Sequence, residues 1–134
     1  MDFTDILKPG LEARLSETVT EQNIASALGS GGLPVYSTPS MITLLERTAR
    51  SALDPLLPSG WSSVGTELNV KHLSATPLGM AVSARAEILS IEGRAVLFRV
   101  EASDEAGKIA EGTHNRFIVE NGKFLAKTES KRNR

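Results

Sequence analysis

One run does most to limit what this chain can fold into: Thr38-Pro39-Ser40-Met41-Ile42-Thr43-Leu44-Leu45-Glu46, continuing to Leu53. It reads as the only long helix in a chain whose other periodic segments are strands. Thr38 is placed to cap it, its hydroxyl accepting from a free N–H of the first turn. Pro39 then falls at the first helical position, where a missing N–H costs nothing. At about 100° per residue, Met41, Ile42, Leu44, Leu45, Ala49, Ala52 and Leu53 cover one continuous half of the cylinder. Thr43, Arg47 and Arg50 fall on the other half. Glu46 lies at the seam, beside Ile42 and Leu53, as either a solvated boundary charge or a functional group. Asp54-Pro55 closes the helix, because a residue before proline avoids the helical region.

The flanking segments alternate with period two. Leu11, Ala13 and Leu15 alternate with Glu12, Arg14 and Ser16, which gives a first strand to about Thr20. Thr20 to Leu28 reads as a short helical turn capped by Thr20 or Asn23. Gly29-Ser30-Gly31-Gly32 follows as a plain connector, a mobile lid or a phosphate cradle. The Lys-Ser/Thr ending of a P-loop is absent, which removes nucleotide binding. After the helix, Leu56 to Gly60 is a loop and Trp61 packs at its edge. Val64, Thr66, Leu68, Val70 and His72 then share the more apolar face of a strand, with Gly65, Glu67, Asn69, Lys71 and Leu73 on the other. Val82, Ala84, Ala86 and Ile88 form the inward row of the next strand. A turn at Glu92-Gly93 leads to Val96, Phe98, Val100 and Ala102. A last strand spans about Lys108 to Glu120. Asn121-Gly122 signals a hairpin with a short return, Lys123 to Ala126.

One strand, one long helix and an antiparallel run of strands make an α+β architecture. Residues 1–126 form one domain, and 127–134 a basic tail that reads as disordered. A helix covers only one face of such a sheet, which points to a dimer.

The totals narrow the chemistry. The 134 residues carry a formal net charge of -1, and nothing basic in the balance points to nucleic acid. There is no cysteine, which excludes disulfides, thiolate metal sites and a cysteine nucleophile. No stretch approaches the roughly 20 apolar residues of a membrane span, and the acidic start Met1-Asp2-Phe3-Thr4-Asp5 lacks the basic region of a signal peptide. The expectation is a cytoplasmic protein that binds neither nucleic acid nor membrane. Its two histidines, His72 and His114, show no metal-ligand spacing, so no metal and no cofactor is expected. Gly60 to Gly65 holds no serine-hydrolase elbow.

What remains is Thr38, Glu46 and His72: a hydroxyl, a carboxylate and an imidazole. Each has a structural alternative as cap, boundary charge or hydrogen-bonded core histidine. Together they are the parts of an acyl-transfer site. Eight residues along a helix rise about 12 Å, so Thr38 and Glu46 do not touch through helix geometry alone. The chain must bend there, or a substrate must lie between them, or the set is shared across subunits.

These residues sit in three segments: Pro34-Val35-Tyr36-Ser37-Thr38-Pro39 with Glu46 eight residues on, Gly65-Thr66, and Val70-Lys71-His72-Leu73-Ser74-Ala75-Thr76-Pro77-Leu78-Gly79. In them the chain resembles the hot-dog fold acyl-CoA thioesterases, within the fluoroacetyl-CoA thioesterase-like group. The likeness spans about residues 10 to 120. It implies a long helix wrapped by an antiparallel sheet, and a homodimer, alone or paired into a dimer of dimers, with active sites at the dimer interface.

The resemblance implies catalytic roles for Thr38, Glu46 and His72. It implies that Gly65 lets a backbone N–H approach the thioester oxygen. Gly32 and Tyr36, flanking the helix start, and Arg116 are the further substrate-binding candidates. Arg116 and His114, with Lys71 on a neighbouring strand, would meet the phosphates of coenzyme A, or else form an outward solvated face. The fluoroacetyl-specific enzyme carries phenylalanines in the loop before the helix; here Gly29-Ser30-Gly31-Gly32 has none. A more open acyl pocket and a different acyl-CoA follow. The activity implied is hydrolysis of a small acyl-CoA to free acid and CoA. The alternatives are a non-catalytic acyl-CoA binding protein and a thioester hydratase or dehydratase.

Overall fold

The computed structural model describes residues 2–133; Met1 and Arg134 lie outside the described residues. The strands are β1 (Glu12–Thr18), β2 (Trp61–His72), β3 (Ala81–Glu92), β4 (Ala95–Asp104) and β5 (Gly107–Glu120). The helices are α1 (Ala25–Leu28), α2 (Thr38–Leu53) and α3 (Asn121–Glu129). The strands form one antiparallel sheet in the order β1-β3-β4-β5-β2, so β2 is an edge. The sheet wraps α2, and this is the hot-dog fold.

The apolar stripe of α2 does what its spacing implies. Met41, Leu44, Leu45, Ala49 and Leu53 are buried, in one cluster with Val82, Ala84, Ala86 and Ile88 of β3 and Val96, Phe98, Val100 and Ala102 of β4. Each large side chain removed from water here contributes about 1.5–3 kcal/mol. Thr48, buried among them, bonds its own helix at the Leu44 carbonyl, 2.7 Å away. Ile42 and Ala52 sit at the margins of the stripe, partly buried against the same cluster.

The helix begins one residue earlier than its sequence suggests. Ser37 is the cap, accepting from the Ser40 N–H at 3.1 Å. Thr38 is therefore the first helical residue, and its hydroxyl is free for another partner. The short helical turn is likewise displaced: Thr20 and Asn23 close a turn between themselves, the Thr20 N–H donating to Asn23 Oδ1 at 2.8 Å, and α1 follows from Ala25.

A bulge decides which way β2 faces. Gly65 pairs with Arg116 and Glu67 with Asn115, leaving Thr66 as an extra residue. An extra residue reverses the alternation. Beyond the bulge Leu68, Val70 and His72 point inward, as their pattern suggests. Before it the inner face carries Ser63 and Gly65. Val64 and Thr66, expected inside, face outward and line a cavity with Phe117 and Phe124.

The chain's end also departs from expectation. Asn121-Gly122 opens α3 where a hairpin was signalled. β5 is flanked by β4 and β2, so it has no free edge to receive a returning strand. Asn121 is tied instead to the start of β2: its N–H donates to the Gly60 carbonyl at 2.9 Å, and its side chain accepts from Ser62 Oγ at 2.5 Å. The basic segment continues α3 to Glu129 and then a 3-10 turn, Ser130–Asn133, with Arg134 outside the described residues.

Candidate active site

The turn after β2 holds the start of α2 in place. Thr76 is fully buried; its hydroxyl donates to Asp104 at 2.8 Å, and its carbonyl accepts from the Tyr36 N–H at 2.9 Å. Val35 bridges Pro77. Gly79, at φ 89, turns the chain so that its N–H reaches the Val19 carbonyl at 2.8 Å. The hydroxyl of Thr76, foremost, and the turn N–H groups of Ala106 and Gly107 hold the Asp104 carboxyl below its ordinary pKa. The Ala-Thr-Pro-x-Gly run is thus a clamp that brings the residues before α2 against the end of β2.

Across that clamp Thr38 Oγ1 lies 2.8 Å from His72 Nδ1. The pair lines a cavity of about 310 Å³, with Tyr36, Leu73, Ser74 and, from the glycine loop, Ser30. His72 Nε2 is buried and has no hydrogen-bond partner among the described residues. Burial pushes the imidazole below its ordinary pKa, with the Ser74 backbone opposing. A neutral histidine beside a hydroxyl can take its proton. Tyr36 lines the cavity, and its hydroxyl donates to Glu17; burial, and then that bond, raise the phenol above its ordinary pKa. Gly32 is exposed, with open space where a side chain would stand.

Glu46 stands elsewhere on the helix. Its carboxylate faces Gly65 closely: a Cβ on Gly65 would lie 2.5 Å from Glu46 Oε2 and 3.2 Å from His114 Cε1. The carboxylate occupies room that the missing side chain leaves. Arg116 Nη1 is 3.8 Å from Glu46 Oε2. Because α2 runs uninterrupted from Thr38 to Leu53, the axial separation of about 12 Å between Thr38 and Glu46 stands. One chain therefore carries two groups, Thr38 with His72 and Glu46 with Gly65, each between α2 and β2.

His114 and Arg116 face inward, not out to solvent. His114 is 0 % exposed and Arg116 5 %. His114 Nδ1 donates to the Glu67 carbonyl at 2.9 Å, so Nε2 accepts from Arg116 Nη1 at 3.1 Å. Burial lowers the His114 pKa, and the guanidinium adds to this against the Glu67 backbone and Glu46. Arg116 also donates through Nε to Ser63 Oγ at 2.8 Å and through Nη2 to the Ser63 carbonyl at 3.0 Å. Ser63 Oγ in turn donates to Asp54 at 2.6 Å. Lys71 lies on the opposite, exposed face, paired in register with Glu111. The sequence alone assigns Ser63 no role and Asp54 only that of ending the helix; the available signal is Gly65, a glycine inside a strand pattern, at the bulge that turns Ser63 inward. Among the described residues no cluster of acidic, histidine or cysteine side chains is arranged to hold a metal, and no helix is long and apolar enough to cross a membrane.

Comparison with known proteins adds an independent line. Residues 19–122 match the family of the fluoroacetyl-CoA-specific thioesterase. The fluoroacetyl-CoA thioesterase of Streptantibioticus cattleyicolor is 40% identical over 97 residues, covering 72% of this chain and 70% of that protein. The crystal structure of an alanine variant of the fluoroacetyl-CoA-specific thioesterase, in complex with fluoroacetate and CoA, superposes with a TM-score of 0.83 at 31% identity, over 88% of this chain and 99% of that one. A hot-dog-like protein from Thermanaerovibrio acidaminovorans gives a TM-score of 0.90 at 26% identity, over 98% and 97%. A fold, a hydroxyl–imidazole pair beside a cavity, and relatives of this kind agree: the chain belongs to the fluoroacetyl-CoA-specific thioesterase family and is a hot-dog acyl-CoA thioester hydrolase.

Proposed function

We propose that hydrolysis runs on Thr38, His72 and Glu46, and that the complete site forms between two copies of the chain. The observation that carries this is the 2.8 Å Thr38–His72 bond beside a cavity of about 310 Å³, with the carboxylate of Glu46 on the same helix but out of its reach. β2 is a sheet edge with His72 at one end and Gly65 toward the other. Antiparallel pairing of β2 with its own copy sets the His72 end of one strand beside the Gly65 end of the other. A homodimer of this kind joins each Thr38–His72 pair to a Glu46 of the partner subunit and covers an edge that otherwise invites association.

In that site Glu46 delivers the attack on the thioester carbonyl, directly or through water, and a backbone N–H at Gly65 meets the oxyanion. The C–S bond breaks and CoA leaves as its thiolate; neutral His72, with Thr38, accepts the proton of the water that attacks the carbonyl or opens the acyl-Glu46 anhydride, and that proton passes to the thiolate. The substrate is a small acyl-CoA. Gly32 and Ser30 lie in a loop without aromatic side chains, which favours acyl groups other than fluoroacetyl. Tyr36 shapes the wall of that pocket. The reaction needs no cofactor beyond the CoA of its substrate, and a cytoplasmic location suits such a substrate.

The test is a panel of short-chain, halogenated and aromatic acyl-CoAs, followed by thiol release. Release from non-fluorinated members, lost in Glu46→Ala and in His72→Ala, supports the reading. Release that survives both changes overturns it.

A further inference from the structure

Arg116 is nearly buried, yet its guanidinium is not simply neutralised by the nearest carboxylate. Three protein groups hold it: Ser63 Oγ on Nε at 2.8 Å, the Ser63 carbonyl on Nη2 at 3.0 Å, and His114 Nε2 on Nη1 at 3.1 Å. Only after these does Nη1 approach Glu46, at 3.8 Å. Ser63 Oγ cannot be the donor to Arg116, which has no acceptor, so its proton goes to Asp54 Oδ1 at 2.6 Å. The other oxygen, Asp54 Oδ2, is held by Arg50 Nε at 2.9 Å. The charged and titratable groups around Glu46 and Arg116 are thus Arg50 and Asp54 from α2 and its end, and His114 from β5. The chain of contacts runs from Asp54, just past α2, through Ser63 to the cation that faces Glu46.

We propose that Ser63, oriented by Asp54, is a positioning residue: it keeps Arg116 from collapsing onto Asp54 and so leaves the guanidinium aimed at Glu46. The inference rests on the reading of Glu46 as the reacting carboxylate. Without the Ser63 hydroxyl, a buried Arg116 Nε and an Asp54 oxygen both lose their partner, and each is the best replacement for the other. Their direct pairing draws Arg116 toward the end of α2. Glu46 then loses the group that fixes its orientation over Gly65, where there is no side chain to hold it. A misplacement of about 1 Å at a reacting group is enough to cost on the order of a hundredfold in rate. Glu46 reacts with the thioester rather than holding it, so its misplacement shows in turnover rather than in substrate affinity.

The experiment compares Ser63→Ala, Ser63→Thr and Glu46→Gln in the full chain, by steady-state thiol release on the best acyl-CoA and by thermal melting. The expected result is a kcat about ten- to a hundredfold lower in Ser63→Ala with KM within about twofold, recovery of most of the loss in Ser63→Thr, and an inactive Glu46→Gln. Full kcat in Ser63→Ala with Glu46→Gln inactive overturns the positioning role and leaves the site intact. An active Glu46→Gln overturns the reading of Glu46 and this inference with it. A loss in Ser63→Ala that follows the melted fraction, or that Ser63→Thr does not recover, also overturns it, since a role confined to folding would give that pattern.

Discussion

Thr38 Oγ1 and His72 Nδ1 meet at 2.8 Å although 34 residues separate them in the chain. The contact exists because Thr38 does not cap its helix. Ser37 takes that task, and the threonine hydroxyl is left to the histidine. The two neighbouring hydroxyls therefore respond differently to removal. Ser37→Ala costs about 1 kcal/mol of stability and leaves turnover largely intact. Thr38→Ala leaves the melting temperature nearly unchanged and lowers kcat by roughly 10²–10⁴, with Thr38→Ser retaining most activity. Melting curves and thiol release on the two variants check both halves.

Gly65 and Gly112 offer a second contrast between function and stability. A Cβ at Gly65 would meet the far end of a flexible side chain, Glu46 Oε2, at 2.5 Å. Gly65→Ala therefore folds, because the carboxylate can swing aside and the buried His114 ring, 3.2 Å from that Cβ, need give only a few tenths of an ångström, but turnover falls on the order of a hundredfold. A Cβ at Gly112 would meet backbone, Asn69 O at 2.0 Å and Val70 Cα at 2.7 Å. The paired strand cannot yield so cheaply, and Gly112→Ala loses roughly 4 kcal/mol or more. Denaturant unfolding and activity, measured together, separate the two.

How much of this was legible in the sequence depended on what kind of interaction fixed each residue. The stripe on α2 and the inward rows of β3 and β4 are set by burial, which repeats with the period of the element, and they stand where the pattern puts them. The face of β2 is not set that way. One unpaired residue, Thr66, reverses the alternation, and the local mark of it in Ser62-Ser63-Val64-Gly65-Thr66 is Gly65, a glycine inside a strand pattern, which does not by itself fix where the extra residue falls. The consequence is large for the site: Ser63 and Gly65 turn to Glu46, while Val64 turns away. Thr38, Glu46 and His72 stood out as candidates by their residue types and by resemblance to known enzymes, and Gly65 by resemblance alone. Their supports were not, because Ser63, Asp54 and Thr76 act through hydrogen bonds between segments distant in the chain.

The two histidines make stability fall in acid. Burial first, with Arg116 adding to it at His114, lowers both imidazoles from an ordinary value of 6.5. In the unfolded chain they take up protons as the pH drops through about 6.5, whereas the folded chain resists until lower pH. The unfolded state then binds more protons, so stability present above that value is lost as the pH falls toward the depressed folded values. His114→Gln, which never titrates, flattens part of that slope. Over the same window His72 stays neutral and able to accept a proton, so turnover holds where an unperturbed histidine would begin to fail. Urea unfolding and kcat/KM, each followed from pH 7.5 to 5, check the two trends.

A shared site has a consequence that no single variant shows. If Thr38 and His72 of one protomer work with Glu46 of its partner, Thr38→Ala and Glu46→Ala are each inactive alone. Unfolded together and refolded as a mixture, they assemble about half of their dimers as mixed pairs. In a mixed pair one site collects both defects and the other collects neither. Activity therefore returns to about a quarter of the wild-type level, with wild-type KM. Were the three residues to act within one chain, every site in the mixture would carry one defect, and no activity would return. Size-exclusion chromatography shows whether the refolded mixture is dimeric, and thiol release on that fraction decides between the two arrangements.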